Sequence, residues 1–221
     1  MNPYQTLISN TALFGISTFG SKFLSFLLTP FYTRILSSAE YGVTDLLIQT
    51  GNLLIPLASV GIANGVIRFG LERSSDKCGV FTTGLLTTLA GFLVLLLLSP
   101  LLERITFLSG YLWLLLLYVL MANLHALCNQ FARAMGHVRV FALSGVICTL
   151  LTIFFNILLL AVFQMGITGY ILANVLADAL STIFVFLSAQ QWRYLRLSAL
   201  SRSGAAQMLR YSAPLVPSTL C

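Results

Sequence analysis

Charge is what this sequence has least of: only 8% of its 221 residues are Asp, Glu, Lys or Arg, against about a quarter in an ordinary soluble domain. Its six acids (Glu40, Asp45, Glu72, Asp76, Glu103 and Asp178) are scattered, and every loop is short. Scatter of that kind counts against an embedded polymerase or glycosyltransferase, which needs a sizeable soluble loop or a cluster of acids and histidines near one surface. The four cysteines, Cys78, Cys128, Cys148 and Cys221, share no metal or redox spacing; they are expected to be small apolar residues in or beside helices. No metal-ligand pattern, nucleophile constellation or phosphate-cradling glycine loop appears, so neither an enzyme nor a cofactor is expected. The net surplus of +6 is spread through short loops between apolar runs and forms no patch, which argues against nucleic acid. A cleavable signal is missing too. The first basic residue is Lys22, and no small-residue cleavage site follows a short apolar core.

What the chain has instead is apolar length. It is 58% hydrophobic, with a mean hydropathy of +0.94, which predicts an all-α polytopic membrane protein. Six spans are read from the apolar runs, about 10–33, 42–61, 80–99, 109–130, 140–163 and 167–188, with Pro100 expected to end the third. The stretch 68–77 is the first charged loop, and 164–166 is a very short turn. A six-span lobe over 1–190 is followed by a basic cytoplasmic linker over 191–204, whose Trp192 and Tyr194 suit the membrane interface. Residues 205–221 turn apolar and read as the start of a seventh span, with the rest of a second lobe missing.

Basic residues segregate. Arg68, Arg73, Lys77, Arg133, Arg139, Arg193, Arg196, Arg202 and Arg210 follow even-numbered spans, whereas only Arg34 and Arg104 follow odd-numbered ones. By the positive-inside rule the amino terminus is cytoplasmic.

The intramembrane polar groups are the only chemistry on offer. At 100° per residue Thr11, Thr18, Lys22, Ser25 and Thr29 fall on one face of the first span, while Phe14, Phe19, Phe23 and Phe26 cover the rest. An ionisable side chain at mid-bilayer costs about 2.5–3.5 kcal/mol, and both Lys22 and Asp178 fall near that depth. Span six repeats the stripe with Tyr170, Asn174, Asp178 and Ser181; span two does so with Asp45, Gln49, Asn52 and Ser59. His125 and Asn129 on span four, and Thr149, Thr152 and Asn156 on span five, form weaker versions. Three inward polar stripes suggest a central hydrated cavity, with Lys22, Ser25, Thr18, Asn52, Gln49 and Asn174 as cargo contacts. Asp178 and Asp45 are candidates for an ion pair or for coupling. Each has a plain structural alternative: small polar residues pack helices, His125 is a satisfied packing residue, Lys22 pairs with Asp178, and Asp45 is a helix-start acid favoured by the dipole.

Three segments carry a resemblance. KFLSFLLTPFYTRILSSAEYG (Lys22 to Gly42), LLIPLASVGIANGVIRF (Leu53 to Phe69) and LRYSAPLVPSTL (Leu209 to Leu220) resemble, in order, the first span and turn, the end of the second helix and the start of the seventh in bacterial polysaccharide flippases. These are the O-antigen translocases of the multidrug/oligosaccharidyl-lipid/polysaccharide superfamily. The resemblance implies twelve to fourteen helices in two six-helix lobes around a central cavity, working by alternating access, of which this chain supplies one lobe and the stub of the next. It implies a multi-pass protein of the plasma (inner) membrane that moves an undecaprenyl-pyrophosphate-linked oligosaccharide to the outer leaflet, alongside polysaccharide polymerase and ligase machinery. Lys22 is then the cation for the pyrophosphate, and the stripe hydroxyls and amides serve the sugar. Two alternatives stay open: a multidrug or cation antiporter of the same superfamily, which would be expected to carry an acid where Lys22 stands, and the embedded polymerase or glycosyltransferase.

Overall fold

The computed structural model describes residues 29–72 and 75–220. Among them every regular element is helical. Residues 29–35 form α1, and α2 follows as Ser38–Ser59. The long helices α4 (Lys77–Leu102), α5 (Leu112–Ala134), α6 (Val138–Asn156) and α7 (Gly166–Ser188) are each apolar enough to cross a bilayer, α6 together with its continuation to Val162. The bent pair of α2 and α3 (Ile62–Leu71), at 52° to each other, is long and apolar enough to make a fifth crossing if it is one span. The chain is thus a multi-pass membrane protein, all-helical among the described residues. Most of the first expected span lies outside the described residues.

The second span begins earlier than its apolar run. Ser37 caps α2: its Oγ accepts the Glu40 N–H (3.3 Å), and Glu40 Oε2 accepts the Ser37 N–H (2.9 Å) and hydroxyl (2.7 Å). This capping box satisfies two orphan donors reciprocally. It puts Glu40 in the first turn and leaves Asp45 two turns in, beyond the reach of the dipole effect, so the helix-start reading of Asp45 does not hold.

Pro56 lies inside α2, which ends at two left-handed residues, Val60 (φ 52°) and Gly61 (φ 61°). Glycine adopts that conformation freely, whereas a β-branched residue is strained there. The strain sits where the chain turns into α3, which carries Arg68 in its last turn rather than in a loop. Val60→Gly is expected to stabilise the detergent-solubilised protein by about 0.5–1 kcal/mol, read as a higher thermal midpoint. An unchanged or lower midpoint would mean the turn stores no strain.

Pro100 does not end the third span; α4 continues to Leu102. The missing N–H would orphan the Leu96 carbonyl, but the Ser99 hydroxyl donates to it at 2.7 Å, a substitution membrane helices use. Lys77 opens α4 and closes α3: its Nζ donates to the carbonyls of Gly70 (2.8 Å) and Glu72, the favourable placement for a cation at a helix C-terminus. Leu93, Val94, Leu97 and Leu101 of α4 are exposed, as a lipid-facing helix requires.

Two clusters mark the ends of the bundle. One joins Val80 and Phe81 at the start of α4, Leu127 and Phe131 near the end of α5, Val185 near the end of α7, and Met208. The other joins Leu47, Leu108, Leu115, Ile171 and Val175. Arg68, Lys77, Arg133, Arg139, Arg193, Arg196, Arg202 and Arg210 therefore fall on segments that contribute to or adjoin the first cluster, whereas Arg104 adjoins Leu102 and Phe107 of the second.

The stretch after α7 is fastened to this first end. Gln191 is fully buried and donates Nε2–H to the Cys128 carbonyl (2.7 Å), Tyr194 packs edge-on against Phe131 (5.1 Å), and the Arg196 N–H donates to Thr82 Oγ1 (3.2 Å). Trp192 remains exposed. Next, α8 (Arg202–Ser212) packs on α3, and after the turn Ala213–Leu215 comes α9 (Val216–Leu220). The helix expected to start near Ala205 is thus interrupted by the turn that holds Pro214.

Candidate functional site

Small residues bring the central helices together. Gly169, Ala173 and Ala177 lie on the buried face of α7, which packs against α5 and α6. Small side chains let helix backbones approach closely in a membrane. At Gly169 an added Cβ would come within 3.2 Å of the Leu159 carbonyl oxygen, in the π-helical turn Ile157–Val162 that continues α6.

In that contact the polar groups of three helices meet. Asp178 Oδ1 lies 3.2 Å from His125 Nδ1 and accepts the Cys148 S–H at 3.5 Å. His125 Nε2 lies 3.2 Å from Ser144 Oγ and 3.1 Å from Ser181 Oγ, and those hydroxyls are 3.0 Å apart. Ser181 Oγ also lies 3.2 Å from the Ser144 carbonyl and donates to it in one arrangement. Ser144 and Ser181 are fully buried; the His125 and Asp178 side chains keep 17% and 16% of their exposure. The network thus runs from a sealed serine pair outward to an imidazole, a thiol and a carboxylate.

Sequence reasoning placed Asp178 and Ser181 on one face of α7 but gave His125 a packing role and did not nominate Ser144 or Cys148. The signal was there in part, because residues four apart on one helix share a face. Which helix would face which is a tertiary fact. Cys148 sits within a helix as expected, yet it lies in space beside His125 and Asp178, two side chains able to ligate a metal.

The second-span stripe divides. Asp45, Gln49 and Asn52 are exposed, whereas Ser59 is buried and donates to the Ile55 carbonyl of its own helix (2.9 Å). Asn52 Oδ1 accepts the Tyr118 hydroxyl of α5 at 3.1 Å, and the Tyr118 ring packs on Gly51. Asn174 is half-buried and donates to the Tyr170 carbonyl (2.9 Å). Thr149, Thr152 and Asn156 likewise donate to carbonyls four residues back, a local pairing of donors that leaves the buried Asn156 Oδ1 without a partner among the described residues. Thr18, Lys22 and Ser25 lie outside the described residues; Asp178, the expected counterpart of Lys22, lies 3.2 Å from His125. Two clefts of about 340 and 400 Å³ lie near Glu72 and Ser201 and near Glu40 and Gln164, and their walls contain none of the nominated residues.

The family model described as polysaccharide biosynthesis protein matches residues 7–221. A search of curated proteins returns no match. Among solved structures, an outward-facing multidrug resistance MATE family transporter of the MOP superfamily superposes with a TM-score of 0.67 at 17% identity. The alignment covers 96% of this chain and 50% of the transporter, so the chain spans about half that protein's length. At such identity the likeness speaks for the fold alone.

Proposed function

The chain belongs to the polysaccharide biosynthesis protein family, and from that premise we propose that it forms one lobe of a flippase for lipid-linked oligosaccharides in the plasma membrane. The observation that carries this reading is the open face of α2. Asp45, Gln49 and Asn52 stand exposed on α2, the longer arm of a bent pair that is apolar and long enough as a unit to cross a bilayer. A carboxylate facing hydrocarbon is penalised, and three polar side chains exposed on one helix support a wet space beside it. Amides and a phenol at that border suit sugar hydroxyls, and Lys22 on the preceding span supplies the cation for a pyrophosphate. The distribution of basic residues between the two ends supports a cytoplasmic amino terminus. In this reading 1–190 is the lobe, and 191–204 fastens its cytoplasmic end before the next span.

The fold match favours a second reading, an antiporter of cationic compounds. Proteoliposomes holding the full gene product separate the two. Translocation of a fluorescent polyprenyl-pyrophosphate oligosaccharide, with no uptake of a cationic dye, is expected. Dye uptake without oligosaccharide translocation would replace the flippase reading with the antiporter.

A further inference from the structure

We propose that His125, Cys148 and Asp178 form a site for one divalent transition-metal ion of the zinc class, with its fourth coordination position left to water or another oxygen ligand. The inference does not depend on what cargo the lobe handles.

Geometry comes first. One donor atom from each of the three residues lies within 4.8 Å of the other two. A tetrahedral zinc centre, with bonds near 2.0 Å to N and O and near 2.3 Å to S, holds its N and O ligands about 3.3 Å apart and its S and O ligands about 3.5 Å apart. The corresponding separations here are 3.2 Å for His125 Nδ1 to Asp178 Oδ1 and 3.5 Å for Cys148 Sγ to Asp178 Oδ1. Two edges of the tetrahedron therefore exist already, and the imidazole–thiol edge is no longer than 4.8 Å.

The surroundings fit as well. A metal-bound imidazole is normally oriented by a hydrogen bond from its other nitrogen. His125 Nε2 faces the fully buried pair Ser144 and Ser181. A proton on Nε2, donated to those hydroxyls, leaves the Nδ1 lone pair aimed at Asp178. In that tautomer a cation or a shared proton bridges the 3.2 Å between Nδ1 and Oδ1, and the thiol beside the pair supplies a third, softer donor. Thiolate, carboxylate and imidazole carry two negative charges against the ion's two positive ones, so the loaded site is neutral where burial penalises net charge. Loading releases the Cys148 thiol proton and any proton shared by His125 and Asp178 to solvent. The ligands come from α5, α6 and α7, so a bound ion would clamp three spanning helices.

The test uses Co2+ alone as probe, on the detergent-solubilised, chelator-stripped full chain. One Co2+ per chain is expected, with tetrahedral d–d absorption and a thiolate-to-cobalt charge-transfer band, both abolished by excess Zn2+. Cys148→Ser should remove the charge-transfer band, and Cys148→Ser, His125→Ala and Asp178→Asn should each weaken binding at least about ten-fold. Ser144→Ala combined with Ser181→Ala should weaken it about ten- to a hundred-fold, as loss of a ligand-orienting partner does. Cys78→Ser should change nothing. Absence of both bands in the monodisperse wild-type chain would overturn the site without any variant having to fold. So would a charge-transfer band that survives Cys148→Ser.

Discussion

Gly91→Val is expected to unfold the bundle at the contact of α2 and α4. A Cβ at position 91 would overlap the backbone carbonyl of Ala58, and a carbonyl held in a helix cannot rotate aside as a side chain would. The helices must separate, and with them goes the cluster of Ala58, Leu95, Leu112, Leu116 and Val119. Overpacking of a tight core costs about 1–3 kcal/mol and sometimes more; against backbone, in a membrane where close packing drives association, the upper end or beyond applies. The measurable outcome is loss of the monodisperse species and of the thermal transition in detergent. Gly42→Ala is the control: nothing lies within 4 Å of its added Cβ, so it should be neutral or stabilise α2 by up to about 1 kcal/mol. A Gly91→Val protein as stable as the control would show that the two helices do not touch at this point.

Neither effect was legible in the sequence, and the reason is general to this chain. The sequence does display lengths and apolar runs, so the spans from α4 onward fall within a few residues of their expected bounds. It also displays local chemistry, and the capping box at Ser37 and Glu40 could have been read from its spacing. The hydroxyl of Ser99 beside Pro100 could likewise have warned that α4 survives its proline. What no run of letters displays is which faces meet. Gly91 looks like any glycine in an aliphatic span, and Ser144 and Cys148 look like packing residues until α6 is laid against His125 and Asp178.

Lys22→Ala is expected to lower oligosaccharide translocation by ten-fold or more, to near loss, while leaving insertion intact. A charge-assisted hydrogen bond to a phosphate is worth about 1.5–3 kcal/mol, which is roughly a ten- to hundred-fold effect for one contact. Lys22→Arg keeps the charge with a different fork geometry and should retain part of the activity. The assay is translocation in proteoliposomes normalised to the amount of inserted protein. Full activity in Lys22→Ala at normal abundance would remove the lysine from the cargo path and leave Gln49, Asn52 and Asn174 as its polar lining. Because Asp178 already has His125 at 3.2 Å, loss of Lys22 does not by itself strand that carboxylate. A collapse of abundance in Lys22→Ala would therefore point to a structural role elsewhere.

The bend after Pro56 sets how deep the chain reaches. With 22 residues in α2 and 10 in α3, the two helices are about 33 Å and 15 Å long at 1.5 Å per residue. At 52°, α3 advances about 9 Å along the axis of α2, so an upright pair covers about 42 Å. That exceeds a hydrocarbon layer of about 30 Å and approaches the full thickness with its headgroups. An upright pair of that length carries Arg68, in the last turn of α3, to the depth of lipid phosphates, and brings α8, which packs on α3, toward the waterline.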